Sequence, residues 1–117
     1  MSDKIILGLV EEIYLETKKG LKKFSARIDT GASRSSIDQD LVDEFGLGPI
    51  IREMVIRSAE GKSKRPVMKV NIVLSDTKFS EEFTIANRTH MKYPVLIGRD
   101  ILKHGFLIDP NKKKVKK

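Results

Sequence analysis

The stretch of this sequence best equipped for chemistry is Ala26-Arg27-Ile28-Asp29-Thr30-Gly31-Ala32-Ser33. Phe24, Ala26 and Ile28 recur with the period of two that marks a strand with one buried face, and the strand runs straight into an Asp-Thr-Gly turn. A strand that ends this way delivers one carboxylate, Asp29, into a tight loop, as a catalytic acid or base requires. Gly31 lets the backbone turn sharply and brings its N–H towards that carboxylate, and the Thr30 hydroxyl can be buried only with a partner. The same residue types are also the ordinary vocabulary of an Asx turn. The chemical reading therefore depends on a second signal, Val95-Leu96-Ile97-Gly98-Arg99-Asp100-Ile101-Leu102, near the C-terminus.

Other chemistries find less support. A zinc peptidase needs three protein ligands around an open position, commonly His-Glu-x-x-His and a third group. This chain has two histidines, His90 and His104, and no cysteine. His90 falls in a polar loop and His104 at the end of a short helical stretch, where histidine complements the helix dipole. No metal ligands are assigned. Gly61-Lys62-Ser63 lacks the upstream glycine and the strand-to-helix junction of a phosphate-binding loop, so no cofactor is assigned either.

The elements that must position Asp29 are short and mostly extended. Residues 5–15 read as a strand with a shift in its alternation, 17–20 as a hairpin turn and 21–29 as the returning strand. Residues 37–45 allow one or two helical turns closed by Gly46. Residues 50–58 and 66–74 read as two arms of a hairpin whose loop is 59–65. A strand over 79–85, a polar loop over 87–92, a short apolar strand ending at Gly98, a helical turn over 99–104 and a last strand over 106–108 complete the pattern. Many short strands with turn signals every eight to twelve residues indicate an all-β closed barrel in a single domain, 1–117, with a basic tail over 110–117.

Composition bounds the rest. At 117 residues, 39% hydrophobic and 33% charged, the chain supports one modest core. It has no apolar run near 18 residues and no signal-peptide layout, which gives the expectation of a soluble, cytoplasmic protein without membrane contact. The net charge is +7, but Lys112, Lys113, Lys114, Lys116 and Lys117 supply five of those charges, leaving the body near +2. With two Tyr, five Phe and no Trp there is little on which to stack bases, so nucleic acid is not the expected partner.

With Asp29-Thr30-Gly31-Ala32-Ser33 near one quarter of the chain and the apolar-Gly98-Arg99-Asp100 segment near its end, this sequence resembles a retropepsin-like aspartic protease subunit. Arg27 to Ala32, the Asn87-Arg88-Thr89-His90-Met91-Lys92-Tyr93-Pro94 loop and Phe106-Leu107-Ile108-Asp109-Pro110 narrow the likeness. They resemble the family labelled ATP-dependent zinc proteases and associated with RimK-type ATP-grasp ligases. The likeness covers roughly residues 5–113.

The resemblance implies a retropepsin barrel with one short C-terminal helix, and a homodimer, because one Asp-Thr-Gly per chain is half a site. Asp29 is then the catalytic residue, and Thr30, Gly31, Ala32 and Ser33 form the active-site loop. Gly98, Arg99 and Asp100 support that loop. Arg34, Ala59, Glu60, Gly61 and Lys62 belong to the flap and substrate groove, and Arg52, Arg57, Lys64 and Arg65 add positive charge suited to acidic or glutamate-modified substrates. Any need for ATP would fall to a ligase partner. Two function classes stand side by side at this level: an aspartic endopeptidase, and a catalytically silent peptide-binding or ligase-adaptor module on the same barrel. Nothing in the sequence assigns a role to Arg88.

Overall fold

The computed structural model describes residues 4–59, 61–87 and 91–113. Glu60, Arg88, His90 and positions 114–117 of the basic tail lie outside these residues. Nine strands and two short helices are described: β1 (Ile5–Leu7), β2 (Val10–Thr17), β3 (Gly20–Ile28), β4 (Ser36–Asp38), α1 (Gln39–Phe45), β5 (Ile50–Ser58), β6 (Gly61–Leu74), β7 (Thr77–Ala86), β8 (Val95–Ile97), α2 (Arg99–Leu102) and β9 (Phe106–Ile108).

Local sequence sets the turns. Thr17 Oγ1 donates to the Gly20 carbonyl at 2.6 Å and accepts from the Lys19 N–H at 3.0 Å, folding β2 back onto β3. Ser75 and Asp76 adopt φ of 50° and 61°, a two-residue loop of the kind whose twist matches the antiparallel strands it joins, here β6 and β7. Gly46, at φ 65°, ends α1 with its N–H on the Val42 carbonyl, as the sequence predicts.

Six strands close a barrel in the order β2-β3-β8-β4-β7-β6, and β6 returns to β2 through Leu15 opposite Ile72, Tyr14 opposite Val73 and Ile13 opposite Leu74. Strand alternation turns Met68, Val70, Ile72 and Leu74 of β6 inward, where they meet Ile13, Leu15, Ala26, Ile28, Phe83, Ile85, Val95 and Ile97 in one core. Closure leaves the barrel without free edges, except where β5 hangs on the outer half of β6. No helix among the described residues is long and apolar enough to cross a membrane.

Three expectations change. The helical turns expected over 37–45 begin only at Gln39, because residues 36–38 form β4, which pairs with β7 and β8 inside the barrel, and α1 joins α2 as a second short helix where one was expected. The strand expected over 5–15 breaks at Gly8 and Leu9, and β1 leaves β2 to pair in parallel with β9. The break is held by Glu11 Oε2, which accepts from the Gly8 N–H at 2.7 Å and from Lys112 Nζ at 3.0 Å. A Cβ at Gly8 would lie 2.9 Å from the Lys112 carbonyl oxygen, so the tail packs there because residue 8 has no side chain. The loop expected over 59–65 is much shorter, since the ladder continues to Ser58 opposite Gly61. Charged residues there signal solvent on the ribbon's faces rather than an end to its hydrogen bonding.

Candidate active site

Asp29 follows β3 directly and is anchored before its side chain does anything, because its N–H donates to the Ile97 carbonyl at 2.9 Å, extending the parallel β3–β8 ladder. Its carboxylate is half-buried, and Oδ1 accepts the Gly31 N–H at 2.9 Å. A Cβ on Gly31 would stand 3.2 Å from that oxygen, closer than a relaxed contact. The Ala32 N–H returns to the Asp29 carbonyl at 3.2 Å and closes the turn. The outcome is a carboxylate fixed by backbone on one oxygen and open to solvent beside it.

The second motif wraps this loop. The Arg99 N–H donates to the Ala32 carbonyl at 2.8 Å, and the Arg99 guanidinium donates to the Thr30 carbonyl at 2.8 Å. Gly98 lies so close beneath that a Cβ there would come within 2.8 Å of Arg34 backbone C and O and 2.9 Å of the Ala32 oxygen. Those are backbone atoms held by the loop's own bonds, so they have little room to yield. Gly98→Ala is expected to cost about 1–3 kcal/mol through overpacking. Thermal unfolding would show this as a lowered midpoint, and an unchanged midpoint would mean that the loop gives way freely.

The residue that ties the two motifs together is Ser35, which sequence reasoning passed over. It is fully buried; its hydroxyl donates to Asp100 Oδ1 at 2.7 Å and accepts the Gly98 N–H at 2.9 Å, while its own N–H donates to Asp100 Oδ2 at 3.0 Å. Its carbonyl accepts from the N–H of Thr84, at 3.0 Å, and from the Thr84 hydroxyl at 3.3 Å, linking the loop to β7. Asp100 Oδ1 also accepts the Ile101 N–H within its own helix, at 2.9 Å. Thus one buried serine and one partly buried carboxylate satisfy the polar groups where loop, helix and sheet meet.

The structure therefore brings Asp29, Thr30, Gly31 and Ala32 together with Gly98, Arg99 and Asp100. Thr30, Ser33 and Arg34 are exposed on the loop. Ala59, Gly61 and Lys62 sit at the β5–β6 turn and the start of β6, and Glu60 lies outside the described residues. Arg52 is engaged by Glu82, and Arg65 is the cross-strand neighbour of Met54. His104 pairs with Glu81 at 3.4 Å, and among the described residues no three His, Cys, Asp or Glu side chains gather as metal ligands. The residues described do not fit a zinc centre.

The family model named RimB-like, for the retropepsin-like aspartic endopeptidase RimB, matches residues 42–117. The Asp29 loop precedes that span. Probable alpha-L-glutamate ligases from Shewanella pealeana and Parasynechococcus marenigrum are 31% and 27% identical over 95% and 94% of this chain. The chain spans 30% and 29% of the length of those relatives. Among solved structures, the Legionella pneumophila protein Lpg0085, of unknown function, aligns with a TM-score of 0.64 at 22% identity, covering 94% of this chain and 96% of that one. EIAV protease complexed with the inhibitor HBY-793 aligns with a TM-score of 0.64 at 17% identity, over 80% of this chain and 84% of the protease. Simian Foamy Virus protease aligns with a TM-score of 0.57 at 17% identity, over 80% and 92%. These structural likenesses establish the retropepsin barrel, and the family match establishes the lineage. The chain belongs to the RimB-like family of retropepsin-like aspartic endopeptidases.

Proposed function

We propose that this chain is one half of a cytoplasmic aspartic endopeptidase, which works as a homodimer on acidic or glutamate-modified protein substrates. The observation that carries the reading is the Asp29 loop: a single half-buried carboxylate, backbone-anchored on one oxygen and braced by the Gly98-Arg99-Asp100 segment. A twofold axis beside this loop sets two such carboxylates around one water. Like charges about 3 Å apart do not both ionise, so the pair holds one proton. The ionised carboxylate takes a proton from the water as its oxygen attacks the scissile carbonyl carbon, and the protonated one donates to the carbonyl oxygen. Collapse of the tetrahedral intermediate breaks the C–N bond, with a proton passing to the departing amine.

Exposed apolar side chains on β1, on β9 and just before β2 support the dimer. Ile6 and Leu107 are direct neighbours across the β1–β9 ladder, and they are 42% and 50% exposed. Leu9, 52% exposed, accepts the Ile28 N–H through its carbonyl at 2.9 Å, one residue before Asp29. Covering such side chains with a second copy removes apolar area from water. Leu107→Asp is expected to shift the chain to monomer in sedimentation, and specific activity should fall on dilution more steeply for the variant than for the parent. Activity independent of concentration would defeat the half-site reading.

A second reading has its own support. The ligase relatives contain a segment like this chain within a much longer protein, which favours a peptide-binding or adaptor module attached to a RimK-type ligase. On that reading turnover is absent, and Asp29→Asn leaves peptide affinity unaltered.

A further inference from the structure

The outer half of the β5–β6 hairpin carries an arrangement that folding alone does not favour. Arg57 and Lys62 are direct cross-strand neighbours, and Val55 opposes Lys64 one step further along the same face. Like charges placed directly opposite one another destabilise a ladder. Among the described residues, none of Arg57, Lys62 and Lys64 is held in an ion pair, and all three are exposed.

Alternation along β6 fixes which face they share. Lys62 and Lys64 have the parity of Met68, Val70 and Ile72, whose side chains enter the core, and β6 pairs with β7 without irregularity from Val67 to Leu74. Arg65 has the opposite parity, and Arg52 is engaged by Glu82, so neither joins the cluster. Among the described residues, Glu53, opposite Pro66, is the acidic residue of this face and bounds the cluster on the barrel side. The three cations form a strip with a repeat of two residues, about 6.7 Å.

We propose that this strip reads acidic peptides in extended conformation, engaging carboxylates at positions i and i+2. An extended strand presents every second side chain on one face at the same spacing of about 6.7 Å, so alternate carboxylates of the ligand meet successive cations of β6. Arg57, opposite Lys62, adds a planar donor fork able to hold a carboxylate by two hydrogen bonds. A bound anion between Arg57 and Lys62 also relieves the repulsion built into the free hairpin. A peptide fits better than a nucleic acid, because the neighbours on this face are Val55 and Pro66 and offer no aromatic ring for base stacking. The inference rests on the reading of the chain as a domain that acts on acidic peptides, and it adds the spacing rule and the residues that enforce it.

The test uses the full chain carrying Asp29→Asn, so that binding is read without turnover. Two labelled octapeptides of equal charge and composition are compared by fluorescence anisotropy. One alternates Glu and Ser; the other consists of two Glu-Ser-Ser-Glu blocks and has no acidic pair at i and i+2. The alternating peptide is expected to bind roughly tenfold more tightly, and Lys62→Glu to remove that preference, the energy scale being that of one or two exposed charge pairs. Lys62→Glu also creates an opposite-charge pair with Arg57, so its melting temperature should be equal or higher, which separates lost binding from lost folding. Equal affinity for the two peptides, an unaltered preference in Lys62→Glu, or tighter binding of a single-stranded oligonucleotide would each overturn the proposal. The parent chain is assayed in parallel for cleavage of both octapeptides. Cleavage without the spacing preference retains the peptidase and removes the strip, whereas the preference without any cleavage does the reverse.

Discussion

On the peptidase reading, Asp29→Asn is expected to lower peptide cleavage by at least about 10³-fold, the range over which a positioned acid or base contributes, while leaving the fold and the sedimentation behaviour unchanged. The expectation of an intact fold follows from the contact the carboxylate makes. Oδ1 accepts the Gly31 N–H, and the carbonyl oxygen of asparagine accepts the same bond in the same place. The anchors on either side, Asp29 N–H to Ile97 and Ala32 N–H to the Asp29 carbonyl, are backbone and do not sense the change. Asparagine cannot take a proton from water, and in a twofold dimer the substitution removes both members of the pair at once. Cleavage measured with and without chelator, beside sedimentation of both proteins, decides the matter. Retained cleavage in the variant would remove Asp29 from the chemistry, and cleavage lost only with chelator would point to a metal.

Ser35→Ala is expected to be the most damaging small change near the site for stability, at about 2–4 kcal/mol, because it leaves a buried N–H without its acceptor and takes a donor from a carboxylate. The Gly98 N–H loses its partner, and Asp100 Oδ1 loses its 2.7 Å bond from the hydroxyl. In a chain of this size that is a fall in melting temperature of roughly 10 °C or more. Ser33→Ala, at an exposed position two residues earlier, should change stability by no more than about 0.5 kcal/mol. Parallel thermal or urea unfolding of the two variants tests the contrast. Equal effects would mean that the bond set around Ser35 contributes little.

The same contrast marks what a reader of the sequence can and cannot extract. The Asp-Thr-Gly turn after an alternating strand was legible, because glycine at a sharp turn and period-two burial are local properties. So were the hairpin at 17–20, the glycine ending α1 and the helical turn after Gly98. The choice of Ser35 over Ser33 and Ser36 was not, since Ser33-Arg34-Ser35-Ser36 differs only in what each serine meets after the chain closes. Asp100 reaches Ser35 across 65 residues, and Thr84 across 49. The strand break at Gly8 was hidden for the same reason: its cause is the carbonyl of Lys112 and the partner strand β9, both at the other end of the chain. On the β5–β6 hairpin, charge density reads as loop, although a ribbon solvated on its faces can carry charge throughout.

The distance in sequence between the Asp29 loop and its brace has a consequence for how the protein is made. During synthesis from the N-terminus, Asp29 emerges in the first third of the chain, while Gly98, Arg99 and Asp100 emerge near the end, followed by the β9 strand that pairs with β1. Contacts that close loops this long form only after most of the chain's conformational freedom has been surrendered. A nascent chain thus carries the acidic residue without the scaffold that orders its loop. The loop is braced only when its last strands fold, which ties the assembly of the site to completion of the barrel.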